Sequence, residues 1–480
     1  MQRRSFLKAP AFALATLPAS AFALNAARQT SLQPTADEVT GLPLLRLPPD
    51  FTYRALAWTG APMPGGGPTP GKHDGMGWYR HGDSAFLLRN HELVISPRIA
   101  GGDVPVYDGL AVAPGIVSSL PDGFPGFAGG VTGVALDGAA QGSSIPLLAG
   151  TAQNCAGGMT PWGSWLTCEE IVLRGSKLKT DAGDGKDHGY VFEVPTPGTR
   201  ASAKPIVDMG FMRHEAAVVA GDGNVYLTED GGPSGFYRMR PYDRAHEVGA
   251  LDKGGKLQML RARNPDGSRV TDLTSIGAGA TFDADWVPID NPDQDPEALV
   301  ASPGSAFEIV GSGRSGPFMQ GEAQGGAAFR RLEGCYYSAG VVYFTDTSGG
   351  RAGRGSLWAY DLHESTLQLI YASPGIDESN HIDNVTVSDS GLIIACEDGA
   401  ARPGGGSRMQ ALAPGRDAVT VAENNIVLGR GNTLGIAAAD YRDAEWAGAT
   451  FDADGKTLYA NIQTPGITFA ITGPWDRVMG

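Results

Sequence analysis

Long helical heptads are missing from this 480-residue chain, which excludes a coiled coil or helical bundle. Charged residues make up only 19% of it. Lysine and arginine number 37 against 52 aspartates and glutamates, a formal charge of −15. A body this acidic, without clustered lysine and arginine, excludes nucleic acid as a partner and disfavours anionic lipid. An anionic substrate binds such a protein only where local cations overrule the global field. Cysteine is scarce: Cys155, Cys168, Cys335 and Cys396 form no CxxC or CxxH pattern, so a structural zinc site is not expected. They allow three disulfide pairings, among which spacing does not choose. Histidine, at 8 residues, is too sparse for a His-rich zinc centre. No GxSxG elbow signals serine catalysis. Beyond the first residues no apolar run is long enough to cross a membrane.

What is abundant is glycine (69) and proline (33), the punctuation of many short strands joined by tight turns. The chain opens with MQRRSFLKAPAFALATLPASAFALNA, where Arg3-Arg4-Ser5-Phe6-Leu7-Lys8 resembles a twin-arginine export signal. Small residues at Ala19-Ser20-Ala21 and Ala21-Phe22-Ala23 offer cleavage sites. The expectation is a signal peptide over residues 1–26, followed by one domain over 27–480. The protein would then be periplasmic or secreted, with the twin-arginine export machinery as a partner, and would act as a monomer. Loss of Arg3, Arg4 and Lys8 takes the charge from −15 to −18.

One unit recurs six times. Its second half is a turn, a short apolar strand and a polar end: DSAFLLRNHE (Asp83–Glu92), GSWLTCEE (Gly163–Glu170), GNVYLTED (Gly223–Asp230), GVVYFTDT (Gly340–Thr347), GLIIACED (Gly391–Asp398) and GKTLYANIQ (Gly455–Gln463). Upstream of each stands a polar residue heading another strand: HDGM (His73–Met76), NCAGG (Asn154–Gly158), RHEAA (Arg213–Ala217), RLEGC (Arg331–Cys335), IDNVT (Ile382–Thr386) and AEWAGA (Ala444–Ala449). Each unit is a β-hairpin whose two open ends share an edge. The spacing is irregular, with long inserts at 93–149 and 240–328; the acidic run FDADWVPIDNPDQDPE in the second reads as a solvated loop. The fold expected is all-β, a six-bladed β-propeller with loop insertions between blades. FTYRALAWTG (Phe51–Gly60) and ITFAITGPW (Ile467–Trp475) would help close the ring, and a β-sandwich pair is the alternative.

In a propeller the heads of the innermost strands face the axis. That places Asp74, Cys155, Glu215, Glu333, Asp383 and Glu445 in one ring, with Glu92, Glu170, Glu229, Asp230, Asp346, Glu397, Asp398 and Gln463 beside it. Carboxylates so close repel, and bound cations are the simplest remedy. Oxygen ligands suit calcium; carboxylates with one thiolate suit a transition ion such as iron. A strand-end acid taken singly more often faces water, so the six-fold recurrence carries the argument. Cys168 and Cys396, lying within strands, read as buried hydrophobes.

At these residues the chain resembles the PhoX family of alkaline phosphatases. NCAGGMTPWGSWLTCEE is the most specific match, supported by RNHE, RHEAA, LTEDGG, RLEG and YFTDTSGG, and the likeness runs from about Leu44 to Trp475. It implies a six-bladed propeller holding two ferric and three calcium ions around a bridging oxo group, and cleavage of small-molecule phosphate esters outside the cytoplasm. Carried over by motif, Cys155 and Glu170 would bind iron. Glu215 and Glu333 match carboxylates of the same cluster, while Glu92, Asn90, Glu229 and Asp230 lean towards calcium. Arg330 or Arg331 would hold phosphoryl oxygens, and Asn154 and His188 would be further candidates for substrate contact, with a structural role as the alternative. The chain departs from the family in being short and in lacking an arginine within NIQTPGITFAI. Two other readings stay open: a calcium-dependent propeller lactonase or phosphotriesterase of the gluconolactonase kind, and a non-catalytic, metal-stabilised binding propeller.

Overall fold

The computed structural model describes residues 31–110, 126–177, 179–180, 183–299, 311–400 and 403–479. The expected signal segment, 1–26, lies outside them. The described residues are almost wholly β, in a propeller-like arrangement. One short α-helix, Gly316–Ala323, is N-capped by Ser315, whose Oγ accepts from Phe318 N at 3.1 Å.

Six antiparallel hairpins correspond to the six sequence units. Their strands are His73–His81 with Ser84–His91, Asn154–Met159 with Ser164–Glu169, and His214–Val219 with Val225–Glu229. The other three are Leu332–Ser338 with Val341–Asp346, Ile382–Val387 with Ile393–Glu397, and Trp446–Phe451 with Thr457–Ile462. The first strand of each is the inner one. Every inner strand packs against those of the preceding and following hairpins, and the sixth returns to the first. Further strands extend each hairpin outwards, and alternating apolar side chains fill the spaces between neighbouring units. One such layer joins Ile394, Met409 and Trp446 with Phe469; another joins Tyr226 and Phe236 with Phe344 and Trp358.

The ends of the described chain meet. Thr52–Trp58 pairs with Ile467–Thr472, so an early strand completes the sheet of the last hairpin. Before it, Gln33–Thr35 and Leu45–Leu47 extend the fifth hairpin's sheet by pairing to Val419–Asn424.

The sheets are not six separate four-stranded units. The second hairpin's sheet has three strands, ending on Val191–Pro195. The third and fourth are fused into one ten-stranded sheet. The bridge is Thr281–Pro288, which pairs with Gly255–Arg263 along most of its length and with Thr366–Ala372 at its start. This strand lies in the acidic run read as a loop. Phe282, Ala284 and Trp286 pack on one core layer, while Asp285, on the other face, reaches Arg261 at 2.6 Å. Alternation outweighed the charge of the stretch.

Candidate metal centre

The hairpins deliver side chains to the axis through a repeated irregularity. Each of the six inner strands carries a β-bulge near its head. In five hairpins the bulge falls on the hub residue itself: Asp74, Cys155, Glu215, Glu333 and Asp383. A bulge breaks the alternation of side chains and re-aims one of them. Two residues before the hub residue, Lys72, Gln153, Arg331 and His381 adopt left-handed backbone, with φ of 50°, 49°, 61° and 49°. The carbonyl at that position accepts the N–H that follows the second strand. Glu92 donates to Lys72 O at 3.0 Å, Glu170 to Gln153 O at 2.9 Å, Asp230 to Arg213 O at 3.1 Å and Asp398 to His381 O at 2.9 Å. Thus the acid ending each of these hairpins is fixed beside the one that starts it.

The bulges are also tied to their neighbours. In the first five hairpins the residues opposite them are Asn90, Cys168, Thr228, Thr345 and Cys396; in the sixth, Asn461 pairs with Ala447 at the edge of the bulge. Asn90 Nδ2 donates to Cys155 O at 3.0 Å and Ala156 O at 2.7 Å. Thr228 donates to Glu333 O, Thr345 to Asp383 O and Asn461 to Asp74 O. Cys396 meets the Ala449 backbone of the sixth hairpin. The hub backbone is therefore held from one hairpin to the next at five of the six junctions, the second to the third excepted. Close approach needs small residues: a Cβ on Gly75 would lie 2.6 Å from Ala156 Cα, and one on Gly334 would lie 2.8 Å from Asn384 Cα.

Four overlapping groups of acidic ligand atoms result, each within 4.8 Å of one another: Cys155, Glu170 and Glu215; Asp74, Glu92 and Glu445; Glu215, Glu333 and Asp383; Asp383, Asp398 and Glu445. All six hub residues take part. Both carboxylate oxygens of Glu215 and Oδ2 of Asp74 are buried without a hydrogen-bond partner. Unpaired buried carboxylates are costly. Burial, and then the neighbouring acids, push Glu170, Glu215, Glu333, Asp383 and Glu445 well above the usual carboxylate range. Burial raises Asp74 to about 6 and Glu92 to about 8, and pushes the Cys155 thiol up. Stripped of cations, these groups favour their neutral forms. A donor set of carboxylate oxygens with one sulfur is what hard cations and iron accept.

Not every residue singled out in the sequence faces this hub. Cys155, Glu170, Glu215, Glu333 and Glu92 do. Asp230 joins them through Arg331, 3.3 Å away. Arg331 also reaches Glu333 at 2.8 Å and Asp398 at 3.7 Å, whereas Arg330 is exposed. Asn90 is spent on the bulge carbonyls and on Trp165 and Thr167, whose donors its Oδ1 accepts. Glu229 accepts from Gly235 N and Tyr237 Oη, a strand-turn role. Asn154 is locked between Thr151 and Thr167. His188 is fully buried, its Nδ1 2.6 Å from Glu169 and its Nε2 3.5 Å from Asp108. These four therefore stabilise the frame. Asp346 and Glu397 stand outside the four groups, and Glu397 pairs with Arg408. Gln153 and Lys72 were missed as site neighbours, whereas Gln463 stands where the sequence put it. Gln153 Nε2 donates to Glu170 at 2.9 Å, and Gln463 donates to Glu92. Their signal was position: Lys72 and Gln153 each precede a hub residue by two. An axial cavity of about 340 Å³, lined by Met76, Trp165, Tyr336 and Tyr337, has no carboxylate, lysine or arginine in its lining and is a separate environment.

Comparison with known proteins places this geometry. The family model described as Alkaline phosphatase PhoX matches residues 123–466. The solved structure of Pseudomonas fluorescens PhoX in complex with vanadate, a transition state analogue, superposes with a TM-score of 0.57. It is 16% identical over 93% of this chain and 98% of that one, and shares the fold. Virginiamycin B lyase from Staphylococcus aureus is 11% identical over 88% of this chain and 99% of that one, with a TM-score of 0.36. The PQQ domain of pyranose dehydrogenase from Coprinopsis cinerea is 10% identical over 89% and 97%, with a TM-score of 0.30. These two are too distant to argue from. No curated protein sequence matches.

Proposed function

The chain belongs to the PhoX family of alkaline phosphatases, and from that premise we propose that it hydrolyses small phosphomonoesters at an iron and calcium centre on the axis of a six-bladed propeller. The blade count rests on the six inner hairpins and their cyclic contacts. The observation that carries the metal reading is the orphaned Glu215 carboxylate, buried among acids with neither oxygen partnered.

The residues fit the ions the family likeness implies. Cys155, Glu170 and Glu215 would hold iron. Asp74, Glu92 and Glu445, with Asp383 and Asp398, offer the oxygen-only surroundings that calcium takes. When bound, such ions polarise a phosphoryl group and lower the pKa of water. The chain's own part is to orient the ligands through the bulges, to exclude alternative partners by burial, and to place Arg331 at the rim. There its guanidinium faces Asp230, Glu333 and Asp398 and is positioned to stabilise equatorial phosphoryl charge.

The charges also close. Nine carboxylates (Asp74, Glu92, Glu170, Glu215, Asp230, Glu333, Asp383, Asp398, Glu445) and the Cys155 thiolate carry ten negative charges when ionised. Two ferric and three calcium ions with one oxide carry ten positive charges. Arg331 and Lys72 then leave an excess of two, the charge of a phosphomonoester dianion. A propeller lactonase built around one calcium leaves this many acids without counter-charge. We further propose export by the twin-arginine route to the periplasm or beyond, from the RRSFLK motif, and action as a monomer.

The test is elemental analysis of the purified protein with p-nitrophenyl phosphate turnover, before and after chelation. Iron and calcium with chelation-sensitive turnover are expected. Zinc alone, or turnover unchanged by a chelator that strips the metal, refutes the assignment.

A further inference from the structure

The residues two places before the hub residues form a collar around the acids: Lys72, Gln153, Arg213, Arg331, His381 and Asp443. Four of them can carry positive charge, and three of those four are committed to protein partners. Arg331 pairs with three carboxylates. Arg213 Nε donates to Asp230 O at 3.0 Å. His381 meets Thr347 O at 2.9 Å through Nδ1 and Arg354 at 3.0 Å through Nε2.

Lys72 differs. Among the described residues the hydrogen-bond acceptor of its ammonium is Gln463 Oε1, 2.6 Å away, and no carboxylate pairs with it. Gln463 turns its amide nitrogen to Glu92. The glutamine therefore stands between the lysine and Glu92, presenting its oxygen to the cation and its nitrogen to the anion. An ammonium has three donors, so two are left for an external acceptor. The left-handed backbone at Lys72 and the bond from Glu92 N to its carbonyl fix the stem, and the residue is only half-buried. Lys72 belongs to the first hairpin and Arg331 to the fourth. In a cyclic order of six these stand on opposite sides of the axis.

We infer that Lys72 binds a phosphoryl oxygen of the substrate, across the hub from Arg331. The inference rests on the phosphatase reading above. A lysine ammonium is a compact point charge that suits phosphate without the two-pronged geometry of arginine. Asp74 and Glu92 feel its field but no carboxylate is hydrogen-bonded to it, so its donors are open to the equatorial oxygens as their negative charge develops.

The experiment uses the metal-loaded full chain, with inorganic phosphate as the calorimetric probe and p-nitrophenyl phosphate as the kinetic one. Lys72→Met keeps the stem and removes the charge. It should retain the parent's iron and calcium, weaken phosphate binding about tenfold to a hundredfold, as expected for one hydrogen bond from a charged group, and lower kcat/KM to a similar extent. Lys72→Arg should recover most of the loss. Unchanged phosphate affinity in metal-replete Lys72→Met overturns the inference, as does loss of metal from that variant, which makes the lysine a structural element. A parent that neither binds phosphate nor turns over ester fails before any substitution is made. That result removes the phosphatase reading and this inference with it.

Discussion

Removing the cations should turn the hub from a stabilising element into a destabilising one, with a definite pH dependence. Asp74 stands at about 6 in the folded chain against an ordinary 3.8, and Glu92 at about 8 against 4.5. Burial is the first cause of both. Near pH 4 both folded and unfolded chains hold most of these protons, and little is lost. As pH rises, the unfolded chain releases them while the folded chain keeps them, so stability falls until pH exceeds the folded values. At about 1.4 kcal/mol per pKa unit, Glu92 costs about 5 kcal/mol and Asp74 about 3 kcal/mol by pH 9. The sum is comparable to the whole stability of an ordinary domain, about 5–15 kcal/mol, before the five other raised carboxylates are counted. Urea denaturation followed by tryptophan fluorescence, on chelated protein at pH 4 and pH 9, measures this directly. The chelated chain should be markedly less stable at pH 9, or unfolded there. Added calcium and iron should restore stability at pH 9 far more than at pH 4. Equal stability of the chelated protein at both pH values would refute the reasoning, because the acids would not then be sharing a buried hub.

Two further outcomes follow from individual contacts. Cys155→Ala should lose iron, whereas Cys396→Ala, at the position opposite a bulge, should keep it and lose about 1–2 kcal/mol of stability through a small cavity; equal iron content in both variants counts against Cys155 as a ligand. Asn461→Leu removes the donor to Asp74 O and should cost about 1–3 kcal/mol in urea denaturation by leaving a buried carbonyl unsatisfied. A loss below about 0.5 kcal/mol would show that the ring of bonds between hairpins is incidental.

Periodicity and chemistry were legible in the sequence to different depths. The six hairpins and their hub residues could be read because a polar head and a polar end recur at fixed offsets around short apolar strands. The strand Thr281–Pro288 could not, since its acids masked the alternation of Phe282, Ala284 and Trp286. Motif resemblance singled out Asn90, Asn154, Glu229 and His188, but it does not reveal direction. Asn90 sits one residue from the rim and, opposite a bulge, turns to the neighbouring backbone. Glu229 and Asp230 are adjacent, so the pleat sends them to opposite sides, and Asp230 alone reaches the hub. The bulges themselves leave no residue signature beyond small neighbours such as Gly75 and Gly334. For that reason the collar residue Lys72, whose role depends on the bulge, stayed hidden.

The hub residues are drawn from almost the full length of the chain, from Asp74 to Glu445. No two of the six share a hairpin, so no local segment can assemble a ligand group. Each group joins at least two hairpins, and that of Asp74, Glu92 and Glu445 joins the first to the sixth, so the full set needs the ring closed by Thr52–Trp58 pairing with Ile467–Thr472. Closing so long a loop costs entropy that grows with its length. In the closed ring the acids gain neighbours that repel them. Ring closure alone is therefore opposed at the hub, and cation binding alone lacks a site. The two processes are favourable only together, so that metal affinity and folding stability are one linked equilibrium. A chain with this linkage takes up its ions where it folds, which accords with the proposed export of an already folded protein.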